Sequence, residues 1–464
     1  MQPGSLTNDL AEIDRRHHFH PGTHLADFSS GSVPCRVMTK AKGVFISDSE
    51  GREYLDGFAG LYCVNVGYGR EEIAAAVHDQ ILRMPYYHAY AGHTNEQAAR
   101  LAERIVRKAR LNMNHVYFGM SGSDANETSI KLVWYYNNIL GRPQKKKIIS
   151  RVRGYHGSGL MTGSLTGLPS FHTAFDLPFS QVIRFSYPHY WRFGREDEDE
   201  RTYSRRQASE LETLIRSEGA DTIAAFIAEP VIGTGGIIPP PAGYWEEIQL
   251  VLKKFDILLI ADEVVTGFGR TGYDFASHRY DIRPDLMTTA KGVSSGYLPL
   301  SCVIVGDPVW HVLEQGTIKH GSFGHGWTYA AHPACAAAAN ANLDIIEQEG
   351  LVEKANTQGE YMLKCLREEL GGHPMVGEVR GIGLMAAVEL VANKQEKTPF
   401  ASQTKIAQQV ANSAFDNGLI IRPMPLSDTI GLAPPFIVSK TDIDRIVSVT
   451  SRAIALVHRN IDAQ

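Results

Sequence analysis

A lysine and an aspartate, each closing a short apolar run, are the residues of this chain best placed for chemistry. Asp262 ends the run in DILLIADEVVTGFGRTG, and Lys291 follows MTTA in DLMTTAKGVSSGYLP. If both runs are strands of one sheet, an anion and an amine stand at the same sheet edge. Burial disfavours a charged amine and moves its pKa toward that of a neutral nucleophile, the state that imine chemistry requires. A carboxylate at the far side would keep a pyridine nitrogen protonated, so that the ring can accept electrons. Either residue alone could be half of an ordinary ion pair, but together they suit a pyridoxal phosphate enzyme.

Two further stretches fit the same cofactor. In FGMSGSDANETSIKLVWYYNN a short strand runs into Ser121, Gly122 and Ser123, and a helix is expected from about Asp124. Asp124 is read as its cap, with Glu127 completing a D-x-x-E box. Free N–H groups and the positive end of the dipole at such a terminus hold a phosphate, with Gly122 and Ser123 as the contacts. Tyr155, after the strand in KKIISRVRGYHGSG, offers a flat face to an aromatic cofactor. Val264 is two residues past Asp262, is expected on the same side of its strand, and would cover the opposite ring face.

Other motifs in the chain fit their usual ligands less well. GFGRTG, residues 267 to 272, matches G-x-G-x-x-G after a strand. A dinucleotide site needs those glycines to open a helix, whereas the following stretch is broken by aromatics, charges and Pro284. RGIGLMAAVEL is read as a turn leading into a strand. His17, His18 and His20 lie close together, but no second ligand group accompanies them in sequence, so an exposed or packing role is expected and no metal site is assigned.

The elements that must position these residues follow from the hydrophobic period. VFISDSEGREYLDGFAG predicts two strands around a Gly turn, and REEIAAAVHDQILRM a helix. From about Asn95 helices and strands alternate, which argues for a mainly parallel sheet covered by helices. REDEDERTYSRR, residues 195 to 206, is charge-dense and expected as a solvated loop. The alanine-rich stretch after Pro333 predicts a long helix leaving the core for a C-terminal α+β portion. The expected division is residues 1–75 as the N-terminal segment of a small domain, 76–335 as a large cofactor-binding domain, and 336–464 as the rest of the small domain.

Composition narrows the function classes. A chain of 464 residues with 43% hydrophobic content can bury two cores. A net charge of −5 leaves no basic stripe for nucleic acid and no polybasic membrane anchor. No run reaches ~18 uninterrupted apolar residues, and the polar N-terminus does not resemble a signal peptide. Five scattered cysteines suit a reducing, cytoplasmic compartment.

Taken in order, DSEGREYLDGFAGLYCVNVGYG, SGSDANE, GYHG, FIAEPV, DILLIADEVVTGFGRTG, TTAKGVSSGYLP, HGWTYAAHP, VRGIGLMAAVEL, GLIIRPM and LAPPFIV resemble class III aminotransferases acting on ω-amino acids or on amines with pyruvate. The resemblance covers nearly the whole chain and implies the pyridoxal phosphate fold type I. It implies Lys291 as the imine-forming lysine, Asp262 as the pyridinium partner, Gly122 and Ser123 as the phosphate cup, and Tyr155 as the stacking ring that also meets substrate. Glu229 would be an acid near the cofactor. Thr328 would reach the phosphate of a neighbouring subunit, so a homodimer with composite sites is implied. Arg422 would grip a substrate carboxylate and swing out for uncharged amines. The implied reaction passes an amino group from a small amine, diamine or ω-amino acid to pyruvate, ping-pong through pyridoxamine phosphate. The same cofactor also serves racemases, aminomutases and decarboxylases, and a non-catalytic regulatory or interaction protein could share the fold. Tyr62 stands where many relatives carry Trp, Trp327 replaces Phe or Tyr, and Ala331 replaces Gly, which bears on substrate scope. Tyr86, Tyr87 and Tyr90 are expected at the pocket or the dimer interface.

Overall fold

The computed structural model describes residues 3–462. Its N-terminal strands β1 (Met38–Lys42), β2 (Phe45–Asp48) and β3 (Glu53–Asp56) form an antiparallel meander. The carboxylate of Asp48 accepts the amides of Glu50 and Arg52 and so shapes the β2–β3 turn expected around Gly51.

A seven-stranded sheet dominates the chain. Its strands are β4 (Met113–Gly119), β5 (Lys147–Arg151), β6 (Val182–Phe185), β7 (Ile223–Ala228), β8 (Leu258–Asp262), β9 (Leu286–Thr289) and β10 (Ser301–Gly306), in spatial order β4-β10-β9-β8-β7-β5-β6. Only β10 runs against its neighbours, so the sheet is mixed and mainly parallel, as expected. Side chains alternate between two buried layers. Ile148, Ile227, Leu258 and Ile260 pack with Ile130 and Val133 of the helix Gly122–Ile139. Ile149, Phe226, Ala228 and Leu259 pack instead with Leu211 and Ile248 from the helices Glu200–Glu218 and Tyr244–Lys254. Burial on both faces explains why these strands read as unbroken apolar runs.

The C-terminal part adds β11 (Val376–Ile382), β12 (Met385–Leu390), β13 (Leu419–Ile420), β14 (Arg422–Pro423) and β15 (Thr429–Leu432). Four of them pair in the order β11-β12-β15-β14, while β13 pairs parallel to β3. RGIGLMAAVEL is the β11–β12 hairpin, turned at Gly383 with φ +53°.

Two expectations fail locally. Residues 200–206 are not loop but the start of the helix Glu200–Glu218, capped by Asp199, and Glu198 is buried against Arg206. The alanine-rich helix Pro333–Gln348 does not leave the core. Its Ala336 to Ala339 are buried, and it lies against the helices Glu71–Arg83 and Glu96–Ala109, because small side chains let axes approach closely.

A buried ionic cluster ties the C-terminal sheet to the segment after β6. Glu389 meets Arg380 and Arg192, and His189 bonds Glu378 at 2.8 Å. Burial pushes the Glu389 carboxyl up, but Arg380, His189 and Arg192 outweigh it and hold it at about 2. Its contribution is complete above the ordinary glutamate value of 4.5 and is lost as pH falls toward about 2. Glu389→Gln is expected to cost about 3–5 kcal/mol near neutrality and to flatten the acid limb of stability, measured by urea unfolding across pH.

Candidate active site

The C-terminal ends of the parallel strands converge on one pocket, the edge where open α/β sheets bind ligands. Its lining includes Gly122 and Ser123 after β4, Tyr155 after β5, Glu229 after β7, Asp262 at the end of β8, and Lys291 after β9. Residues as far apart in sequence as Gly122 and Lys291 thus meet in one cradle.

The phosphate-type cradle begins the helix Gly122–Ile139. Ser121, not Asp124, is its cap: the Ser121 hydroxyl accepts the Asp124 amide, and Asp124 accepts the amides of Met120 and Ser121. The expected D-x-x-E box is replaced by this S-x-x-D box. Glu127 instead accepts the amide of Thr162 at 3.0 Å. Ser123 Oγ accepts the Ser158 amide at 3.2 Å, which leaves its own proton free to donate to an anion. A Cβ on Gly122 would stand 2.9 Å from Val264 Cγ1, so only glycine lets the helix terminus approach this wall. Gly122→Ala is expected to destabilise the protein by about 1–3 kcal/mol, with part of the loss restored by Val264→Ala. Equilibrium unfolding of the two single variants and the double variant checks this.

Asp262 is fully enclosed. Its Oδ2 accepts Asn126 Nδ2 and bonds His156 Nδ1, both at 2.8 Å, and its Oδ1 accepts the Val264 amide at 3.1 Å. Val264 therefore lies in the turn beyond β8 rather than on the strand, yet it still lines the pocket. His156 and Asn126 were missed in the sequence. Their signals were the residue beside Tyr155 in GYHG and the position one turn below Gly122, on the same helix face.

Lys291 opens a single 3₁₀ turn with φ +44°, a left-handed conformation that an L side chain holds only where its surroundings impose it. It keeps some surface inside the pocket, but the protein around it desolvates the amine and lowers its pKa against the opposing pull of Cys63, Asp262 and Glu229. Glu229 accepts the amides of Tyr155 at 3.1 Å and Gly233 at 2.7 Å, and burial pushes its carboxyl above the usual carboxylate range.

The amine, the enclosed carboxylate, the helix terminus and the Tyr155 and Val264 walls together fit pyridoxal phosphate. Lys291 would hold its aldehyde carbon, Asp262 its ring nitrogen, and Gly122 with Ser123 its phosphate.

The sequence pattern of the class-III aminotransferases matches residues 28–454. The chain is a class-III aminotransferase. Members of this family use pyridoxal phosphate, and so does this one. It is 54% identical over 448 residues to a diaminobutyrate–2-oxoglutarate transaminase of Halomonas elongata, with 96% of each chain covered. It is 40% identical over 462 residues to gamma aminobutyrate transaminase 1, mitochondrial, of Solanum lycopersicum, covering 98% of this chain and 89% of that one. The omega transaminase of Pseudomonas jessenii, solved in complex with PMP, superposes with a TM-score of 0.94 at 39% identity, over 97% of this chain and 98% of that one.

The remaining expected residues of this aminotransferase lie outside the lining of this pocket, and Tyr90, Trp327 and Ala331 line a separate cavity. Tyr62 is buried against Phe58, with ring centroids 4.3 Å apart, and its hydroxyl lies 3.5 Å from the Gly233 carbonyl. The Arg422 guanidinium sits 5.5 Å from the Phe58 ring centroid and is close enough to Lys291 to oppose its protonation. Thr328 is exposed and outside the lining; its carbonyl accepts the Tyr86 hydroxyl at 2.6 Å. Trp327 donates its indole N–H to Thr128 at 3.2 Å, and Ala331 is buried nearby. Tyr86, Tyr87 and Tyr90 are exposed on the same side of the chain as Thr328 and Tyr329. GFGRTG opens no long helix. Its Arg270 is buried and binds the carbonyls of Leu384 and Pro434 and the Asn65 side chain, which fastens the loop to the C-terminal part.

Proposed function

We propose that this aminotransferase moves the amino group of a small amine, diamine or ω-amino acid to pyruvate, with the two substrates taking turns at one site in ping-pong order. The observation that carries the reading is Arg422, a cation held over Phe58 beside Tyr62 on the approach to Lys291. Its flat fork suits a carboxylate, and the buried Phe58 and Tyr62 rings hold it in place from behind.

When bound, pyridoxal phosphate supplies an aldehyde that joins to amines and a ring that withdraws electrons from the amine-bearing carbon. Lys291 is the proposed catalytic residue: displaced by the donor amine, its own amine would take the proton from the donor's carbon in one half-reaction and deliver a proton to the keto acid's carbon in the other. Asp262 keeps the ring nitrogen protonated, with His156 and Asn126 holding the carboxylate in place. Glu229 fixes the Tyr155 backbone, and Tyr155 and Val264, which line the pocket, would hold the ring between them. Arg422 orients keto acids and ω-carboxylates. Thr328 and the exposed Tyr86, Tyr87 and Tyr90 belong in this reading to a homodimer interface, with Thr328 completing the phosphate site of the partner. The five thiols are unpaired, which supports a cytoplasmic setting; no helix among the described residues is long and apolar enough to cross a membrane.

A second reading makes 2-oxoglutarate the acceptor, favoured by the name of the 54% identical relative. The two separate in one assay of a donor panel with either keto acid. Alanine formed from pyruvate at least tenfold faster than glutamate from 2-oxoglutarate supports the first reading, and the reverse ratio overturns it. Arg422→Ala is expected to raise KM for the keto acid by ~10–100-fold, the worth of a charge-assisted hydrogen bond of about 1.5–3 kcal/mol. The rate with an uncharged amine donor should change far less, as single-turnover kinetics would show.

A further inference from the structure

The histidine tract near the N-terminus gains in the fold what it lacks in sequence. The helix Pro3–His17 places Asp14 one turn before His18, and the chain then turns so that His20 returns to the same carboxylate. His18 Nδ1 lies 2.8 Å from Asp14 Oδ1, and His20 Nε2 lies 2.6 Å from Oδ2. Ligand atoms of these three residues all fall within 4.8 Å of one another. From the loop after the helix Leu25–Ser30, the Cys35 thiol donates to Asp14 Oδ2 at 3.3 Å.

We propose that Asp14, His18, His20 and Cys35 form a binding site for a zinc-class transition ion. Two imidazoles, a carboxylate and a thiol are the mixed nitrogen, oxygen and sulfur set that Zn²⁺ accepts in fourfold coordination. Calcium and magnesium, which favour all-oxygen shells, are poor matches. Donor atoms around a tetrahedral zinc with bonds of about 2.0–2.3 Å stand roughly 3.3–3.7 Å apart. The ion therefore has to widen the two His–Asp contacts by under about an ångström and draw in Cys35, which touches Asp14 but stands outside the 4.8 Å group of the other three; both movements are within reach of side-chain rotation at a surface site. The rings are already oriented: His20 packs against Phe28 at 4.6 Å between centroids and against His18 at 4.3 Å. Binding would replace the His–Asp and thiol–Asp hydrogen bonds by metal bonds: the thiol gives its proton to solvent, and each imidazole keeps one N–H on the nitrogen that faces away from the ion. Once Cys35 closes on the ion, four protein donors leave no open position, so the site is structural and pins the N-terminal helix to the segment leading into β1.

The test uses tag-free holoenzyme, treated with a chelator, dialysed and titrated with ZnCl₂, and followed by metal analysis after gel filtration and by thermal unfolding. The expected result is one Zn²⁺ per chain and a Tm that climbs with Zn²⁺ concentration, as for any ligand that binds only the folded state. The His18→Ala/His20→Ala double variant should lose both effects, and Cys35→Ser should weaken binding at least tenfold. His17→Ala, exposed and outside the cluster, should behave as the unaltered protein. Absence of bound zinc, undiminished binding in either cluster variant, or equal loss in His17→Ala overturns the proposal.

Discussion

Replacing Lys291 by alanine is expected to leave a folded protein that binds pyridoxal phosphate without joining to it and turns over at least about 10⁴-fold more slowly. The loss is large because one amine is assigned two tasks, holding the cofactor and moving the proton at the substrate carbon. Lys291→Arg should lose nearly as much, since a guanidinium stays charged and cannot attack an aldehyde. Borohydride reduction followed by peptide mass analysis should fix the cofactor on the Lys291 peptide of the unaltered protein and on no peptide of either variant. Turnover within tenfold of the unaltered protein in Lys291→Ala would sink the assignment. The sign of the pH dependence follows from burial. Burial lowers the amine's pKa, so in protein freed of cofactor the neutral, reactive form appears at a lower pH than for an ordinary lysine. Covalent trapping should speed up with rising pH through that depressed value. The unfolded chain binds the proton more readily, so this residue's effect on stability worsens as pH falls from the ordinary lysine value toward the folded one.

Asp262→Asn is expected to lower turnover by ~10³-fold, comparable to removing one preorganised electrostatic partner of a reacting group. A carboxylate has about four lone-pair positions. Three are occupied by His156, Asn126 and the Val264 amide, which leaves one, on Oδ1, for the ring N–H of the cofactor. An asparagine cannot serve all four, because its amide nitrogen donates where His156 and Asn126 also donate. The measured signature should be a fall in kcat with a small change in the retention of cofactor, since the phosphate cradle is untouched. His156→Gln should show a weaker version, about 10–100-fold, as expected for a residue that acts by holding another. If Asp262→Asn retained more than a tenth of the native kcat, the ring-nitrogen role would be wrong.

Much of the site was legible because its chemistry sits at strand ends, and strand ends are where an apolar run meets a polar residue. Lys291, Asp262 and Gly122 all announce themselves in this way. His156 and Asn126 did not, since their importance lies in reaching one carboxylate from the ends of two other elements, a meeting that only the sheet order determines. The cap at Ser121 was obscured because S-x-x-D and D-x-x-E overlap in SGSDANE, and both satisfy the pattern. The stretch 195–206 misled because charge density signals solvent only when charges are unpaired, and Glu198 is buried with Arg206. Alanine has little hydrophobic period to read, so the helix Pro333–Gln348 carries almost no sign of which of its faces are covered.

The pairing of β13 with β3 also sets an order of events during synthesis. Roughly 360 residues separate Asp56 from Leu419, a wait of about 20 to 70 s for a chain growing at ~5–20 residues per second. Until then the amides of Leu55 and Gly57 lack the carbonyls of Gly418 and Ile420. Tyr62 follows β3 and Arg422 follows β13, so the Phe58, Tyr62 and Arg422 cluster is completed last. The nascent polypeptide can thus carry every residue that lines the cofactor pocket before it carries Arg422.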